Sequence, residues 1–209
     1  MCIRDSLISS QENRLGIELD TVQLEAIHAA LQNKVLIITG GPGTGKTTLV
    51  RFILGLMSRR IPSVALAAPT GRAAKRLTET TSYQASTIHR LLEADNMGFQ
   101  RNRDQPLESE LLIIDESSMI DTLLMDALLD SISSSARLVL VGDVDQRPSE
   151  GPGMLLRELI ETELVAVEFH ERRRHFPHRR HARRLAALSA ELLDKRGGGR
   201  REVRGRLVG

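Results

Sequence analysis

The segment Gly40-Gly41-Pro42-Gly43-Thr44-Gly45-Lys46-Thr47 constrains the fold more than any other part of this chain. It follows the apolar, β-branched run Val35-Leu36-Ile37-Ile38-Thr39, which suits a strand buried on both faces. It precedes Leu49, Phe52, Ile53, Leu56 and Met57, which recur at helical spacing. Strand, glycine loop and helix in that order bring backbone N–H groups and a helix N-terminus to one point, which suits a polyphosphate. Gly41, Pro42, Gly43, Thr44, Gly45, Lys46, Thr47 and Thr48 are therefore the candidate nucleotide-binding residues. Lys46 is placed to reach the β- and γ-phosphates, and Thr47 to offer its hydroxyl to Mg²⁺. A glycine loop arising by chance is the plain alternative, and the flanking strand and helix argue against it.

A chain of 209 residues is one ordinary domain with something appended, or two small ones. Its 41% apolar content supplies a core and excludes global disorder. Aromatics make up only 2%, with no Trp, so that core is aliphatic. The single cysteine, Cys2, excludes an internal disulfide and a cysteine-rich metal site, which fits a reducing, intracellular setting. No apolar run approaches the roughly 18 residues needed to span a membrane. The N-terminus has no signal-peptide core, so the expected location is cytoplasmic. The net charge of +2 conceals an asymmetry. Residues 170–209 hold 13 Lys+Arg against 4 Asp+Glu, while residues 1–169 carry a balance of −7. Body and tail need separate readings.

Residues 35–39, 64–68, 111–115 and 138–142 have strand character, with helical patterns at 72–80 and 122–132 between them. Asp121 is the expected cap of the second of these helices. Alternating strands and helices predict an α/β fold, a parallel sheet with helices on both faces. Val22, Ala26, Ile27, Ala30 and Leu31 predict a helix before the first strand, capped by Asp20 or Thr21. Residues 96–106 are polar and turn-rich and read as a loop. The expected organisation is an N-terminal extension at 1–14, an ATP-binding body at 15–169 and an Arg-, His- and Gly-rich tail at 170–209.

Leu111-Leu112-Ile113-Ile114-Asp115-Glu116 is an apolar strand ending in two carboxylates, at the sheet edge where open α/β folds bind ligands. Asp115 is a candidate Mg²⁺ ligand and Glu116 a candidate to polarise attacking water. A second tip, Gly142-Asp143-Val144-Asp145-Gln146, offers the Gln146 amide as a sensor of the terminal phosphate. Lys46, Asp115, Glu116 and Gln146 form the candidate catalytic set, with Thr47 and Asp115 as metal ligands. Following another strand, Pro69, Thr70, Gly71 and Arg72, with Thr87, His89 and Arg90, could hold a nucleic-acid backbone. A capped helix with a solvated basic face explains the same residues equally well. Only Tyr83 and Phe99 lie nearby for stacking, so backbone contacts would dominate.

In this order the motifs resemble the first motor domain of a RecD-like, superfamily 1 DNA helicase, a RecA-like P-loop NTPase, over residues 15–168. Gln23 resembles the adenine-contacting glutamine of that family, and Gly40 to Thr48 its first motif. Residues 68–74 resemble motif Ia and residues 86–92 a segment associated with RecD-like chains. Asp115-Glu116-Ser117-Ser118-Met119 resembles motif II, and residues 142–146 motif III. The resemblance implies ATP and Mg²⁺ as cofactors and 5′-to-3′ unwinding of duplex DNA, with single-stranded DNA crossing the motor. It also implies a role in DNA repair or recombination, either alone or with other subunits of a helicase–nuclease complex.

The departures from the family pattern are specific. After Gln146 the family text is Leu-Pro-Ser-Val-Gly-Pro-Gly, and here it is Arg147-Pro148-Ser149-Glu150-Gly151-Pro152-Gly153. Beyond Glu168 the family expects a Phe-Arg-Gln segment and a second RecA-like domain, which this text lacks. The expectation is therefore a truncated motor domain that binds nucleotide with little or no turnover. The tail reads either as a nucleic-acid-binding arm or as frameshifted, GC-rich text. Codons can be written for Phe176-Pro177-His178-Arg179-Arg180 whose shifted reading gives Ser-Arg-Ile-Val, as the family has near there, and the frameshift is favoured. The first six residues read as non-native. The alternative function is a non-enzymatic P-loop protein binding nucleic acid through the basic tail. A guanine-specific switch would need an Asn-Lys-x-Asp stretch, which the sequence does not contain.

Overall fold

Alternation along the aliphatic strands decides the layering. A computed structural model describes residues 3–144, 155–161 and 166–170. Asp145, Gln146, the segment 147–153 and the tail from residue 171 lie outside the described residues, as do Met1 and Cys2. In chain order the elements are α1 (Ile3–Leu15), α2 (Thr21–Gln32), β1 (Val35–Gly40), α3 (Lys46–Met57), β2 (Val64–Ala68) and α4 (Gly71–Thr81). Then come β3 (Ala85–Thr87), α5 (Ile88–Leu91), β4 (Ala94–Asp95), β5 (Gly98–Phe99), β6 (Leu111–Ile114) and a 3₁₀ turn at Ser117–Met119. The last are α6 (Thr122–Ser131), β7 (Arg137–Gly142), α7 (Leu155–Glu161) and β8 (Ala166–His170).

Six strands form one parallel sheet in the order β3-β2-β6-β7-β1-β8. Leu36, Ile38, Leu66, Leu111, Ile113, Val139 and Val141 face one core, built with Ile8 of α1, Ala26 and Ile27 of α2, Phe52 and Ile53 of α3, and Leu77 of α4. Their neighbours Ile37, Ala67, Leu112, Ile114, Leu138 and Leu140 face the other, built with Ile88, Leu124, Leu128, Leu156 and Leu159. The period of two along a strand sorts alternate residues onto opposite faces, and the sheet carries helices on both. Fully burying each Leu, Ile or Phe contributes about 1.5–3 kcal/mol. Apart from Phe52 these two cores are aliphatic.

Caps fix where the helices start. Asp20 begins α2 through a reciprocal pair: Gln23 N–H donates to Asp20 Oδ1 at 2.8 Å, and Asp20 N–H donates to Gln23 Oε1 at 3.1 Å. Asp121 Oδ1 accepts from Leu124 N–H at 2.7 Å and begins α6. The stretch 1–14, read as an extension, contains most of α1. That helix packs on α3 where Gly55 leaves room for Gln11: a Cβ there would lie 1.9 Å from Gln11 Nε2. The polar stretch 96–106 holds only the two-residue strand β5, paired antiparallel with β4.

Candidate functional site

The glycine loop leaves β1 and enters α3 with two left-handed residues, Gly43 at φ 79° and Gly45 at φ 84°. A side chain at either position would be strained, so glycine is what allows the tight reversal. Gly45 is the cap position of α3 and supplies no side-chain hydrogen bond. By contrast α2, α4 and α6 are capped by Asp20, Thr70 and Asp121. The first-turn amides of α3 therefore retain donor capacity for a ligand. Thr44 Oγ1 donates to the Gly41 carbonyl at 2.9 Å and braces the loop. Lys46 Nζ donates to the Gly40 carbonyl and, at 2.8 Å, to that of Gly41. Gln23 packs against the loop from α2, its Nε2 2.9 Å from where a Gly45 Cβ would stand.

Facing the loop, β6 ends at Ile114 and delivers Asp115 and Glu116 just beyond its tip. Asp115 Oδ1 accepts from Glu116 N–H at 2.9 Å. Burial raises the Asp115 carboxyl above its ordinary value; the Glu116 N–H, Lys46 and Arg76 pull it down, and the Glu116 charge pushes it up. Glu116 has φ 53°, a left-handed conformation costing a non-glycine residue about 1–3 kcal/mol. The turn that imposes it is tied to β7. Ser117, itself buried, donates through Oγ to the Val141 carbonyl at 2.9 Å. At Gly142 a Cβ would lie 2.8 Å from Ser117 Oγ, 2.8 Å from Leu156 Cδ2 and 3.0 Å from Ser118 N, so only glycine fits.

Pro42 to Thr48, Asp115 and Glu116 line one cavity of about 340 Å³, so the structure brings the loop and both carboxylates together. Gln23 touches the loop from outside that lining, and Gln146 lies outside the described residues. Thr47 and Asp115 supply one hydroxyl and one carboxylate. Among the described residues no group of three or more His, Cys, Asp or Glu could hold a metal. A small donor set that leaves other positions to water and phosphate fits Mg²⁺. The remaining wall is α4, through Ala73, Arg76, Leu77 and Thr80. Arg76 lies within the helix expected at 72–80, for which the sequence suggested only a solvated basic face. The spacing of Arg76 and Thr80, one turn apart on one face, was visible; which face met the cavity was not.

The seven candidate nucleic-acid contacts also converge. Ala68 pairs in register with Thr87, so Pro69 to Arg72 and Thr87 to Arg90 leave adjacent strands at the same sheet edge. Thr70 Oγ1 accepts from Ala73 N–H and Thr87 Oγ1 from Arg90 N–H, each at 3.2 Å, so both threonines serve as caps. Arg72, His89 and Arg90 are exposed. The His89 ring stacks tilted on Phe99, with centroids 5.8 Å apart. Among the described residues no helix is long and apolar enough to cross a membrane.

A family model described as "AAA domain" matches residues 23–152. The ATP-dependent RecD2 DNA helicase of Deinococcus radiodurans is 41% identical over 141 residues, covering 68% of this chain and 20% of that protein. The RecBCD enzyme subunit RecD of Mycobacterium tuberculosis is 37% identical over 163 residues, covering 66% of this chain and 28% of its own length. The chain thus spans less than a third of these curated relatives. Among solved structures, Pif1 helicase from Candida albicans superposes with a TM-score of 0.55 at 23% identity, covering 74% of this chain and 40% of that one. Bacteroides sp Pif1 in complex with ADP-AlF4 gives 0.52 at 19%, covering 74% and 42%. At those identities the likeness speaks to fold, a RecA-like P-loop NTPase sheet.

Proposed function

We propose that this chain, which belongs to the AAA domain family, is the nucleotide-driven motor domain of a RecD-type DNA helicase. It binds Mg-ATP at the glycine loop, and single-stranded DNA crosses the sheet edge at Pro69 to Arg72 and Thr87 to Arg90. Within a complete enzyme, hydrolysis drives 5′-to-3′ unwinding in DNA repair or recombination, alone or beside other subunits. One observation carries the reading: loop, lysine, threonine hydroxyl and paired carboxylates all line a single cavity.

Each residue then has a task. Lys46 exchanges the Gly40 and Gly41 carbonyls for phosphate oxygens. The uncapped first turn of α3 donates its N–H groups to the polyphosphate. Gln23, fixed by its capping pair with Asp20, presents its amide beside Gly45 for the base. Thr47 and Asp115 would hold Mg²⁺, which would supply positive charge to offset that of the phosphates. Glu116 orients and polarises the attacking water, and Gln146 senses the terminal phosphate. Lys46→Ala is expected to abolish binding of a fluorescent ATP analogue while leaving the thermal melt intact. Deleting residues 171–209 is expected to leave single-stranded DNA binding in place. DNA binding that vanishes with the tail and ignores Lys46→Ala would instead favour the non-enzymatic, tail-driven protein.

A further inference from the structure

Two cations line the nucleotide cavity, and they come from different elements. Lys46 belongs to the loop and is engaged by the Gly40 and Gly41 carbonyls. Arg76 belongs to α4 and reaches the cavity from its flank. Ala74 and Leu77 on either side are buried and Thr70 caps the first turn, which fixes the stretch of α4 that carries Arg76. Arg76 itself is exposed, so packing does not account for it. Its charge is felt at Asp115 across the cavity. The ionisable lining sums to zero, with Lys46 and Arg76 against Asp115 and Glu116, and a triphosphate adds several negative charges to that balance. A guanidinium presents a planar fork of donors that matches two phosphate oxygens, which a lysine cannot do.

We propose that Arg76 is a nucleotide-binding residue that grips non-bridging oxygens at the terminal end of a nucleoside triphosphate from the α4 wall. The assignment rests on the nucleotide reading above and adds to it the group that tells triphosphate from diphosphate. Placement at the terminal end follows from the cavity that Arg76 shares with Asp115 and Glu116, where the γ-phosphate and its attacking water belong. Thr80, one turn along and about 6 Å further up the helix axis, bounds the same wall and offers a hydroxyl beside it.

The test titrates the full 209-residue chain with fluorescently labelled ATP and ADP in Mg²⁺, using wild type, Arg76→Gln, Arg76→Lys and Lys46→Ala. Thermal melts establish that each variant is folded. Arg76→Gln is expected to weaken ATP binding on the order of 10-fold and ADP binding less, since one charge-assisted, bidentate contact is lost. Arg76→Lys recovers part of the loss by restoring charge without the fork. Unchanged ATP affinity in Arg76→Gln, or an equal loss for ATP and ADP, overturns the assignment. If Lys46→Ala abolishes binding while Arg76→Gln does not weaken it, Arg76 fails and the nucleotide reading stands. If wild type binds neither nucleotide, that reading fails and takes Arg76 with it.

Discussion

Burial makes ionisation of the Asp115 carboxyl costly and holds its pKa above the usual carboxylate value. Burial favours its neutral form, and the Glu116 N–H, Lys46 and Arg76 only partly offset that. A folded-state pKa raised above the unfolded value means stability is lost as pH rises through the folded pKa, and regained on acidification. Asp115→Asn is therefore expected to melt higher than wild type at neutral pH, with the difference shrinking on acidification. Nucleotide binding in the same variant loses its dependence on Mg²⁺. A variant that melts lower than wild type at neutral pH would show that the charge is stabilised rather than tolerated. The pairing of Asp115 with Glu116 was legible in the sequence because two carboxylates ended an aliphatic strand. The left-handed backbone at Glu116 was not, since the tie from Ser117 to β7 that imposes it joins residues 24 positions apart.

Helix α4 faces two tasks, because its first turn lies at the proposed DNA edge and its flank walls the proposed nucleotide cavity. Thr70→Ala is expected to cost about 1 kcal/mol through loss of the cap, and to weaken nucleotide binding with it. Thr70→Asp restores a capping oxygen but places a negative charge where a phosphate backbone is proposed. It should recover denaturant stability while single-stranded DNA affinity falls; DNA affinity that recovers together with stability would argue that Thr70 is a cap alone. Long periodic elements such as β1, α3 and β7 were readable from runs of aliphatic residues. Helix α1 was not: its sequence is polar, and it docks through Ile8 and through the niche that Gly55 leaves for Gln11. Strand β3, three residues long, is too short for a period to register and exists because β2 offers it a partner.

At the scale of the molecule, the described residues wall the proposed nucleotide cavity from one sheet and its helices, without a second motor domain among them. An arginine supplied from such a partner domain contributes roughly 10³–10⁵ in rate to phosphoryl transfer. The purified 209-residue chain is accordingly expected to bind nucleotide, to release phosphate slowly with or without single-stranded DNA, and to leave duplex DNA intact. Rapid DNA-stimulated phosphate release would sink that expectation. The close approach of Gly142 to the Ser117 turn has a mechanical meaning here. The β7 tip and the carboxylate turn touch at Gly142 and are joined by the Ser117 bond to the Val141 carbonyl. A shift of the β7 tip is then expected to carry the turn that bears Glu116 with it, the strand end acting as a pushrod.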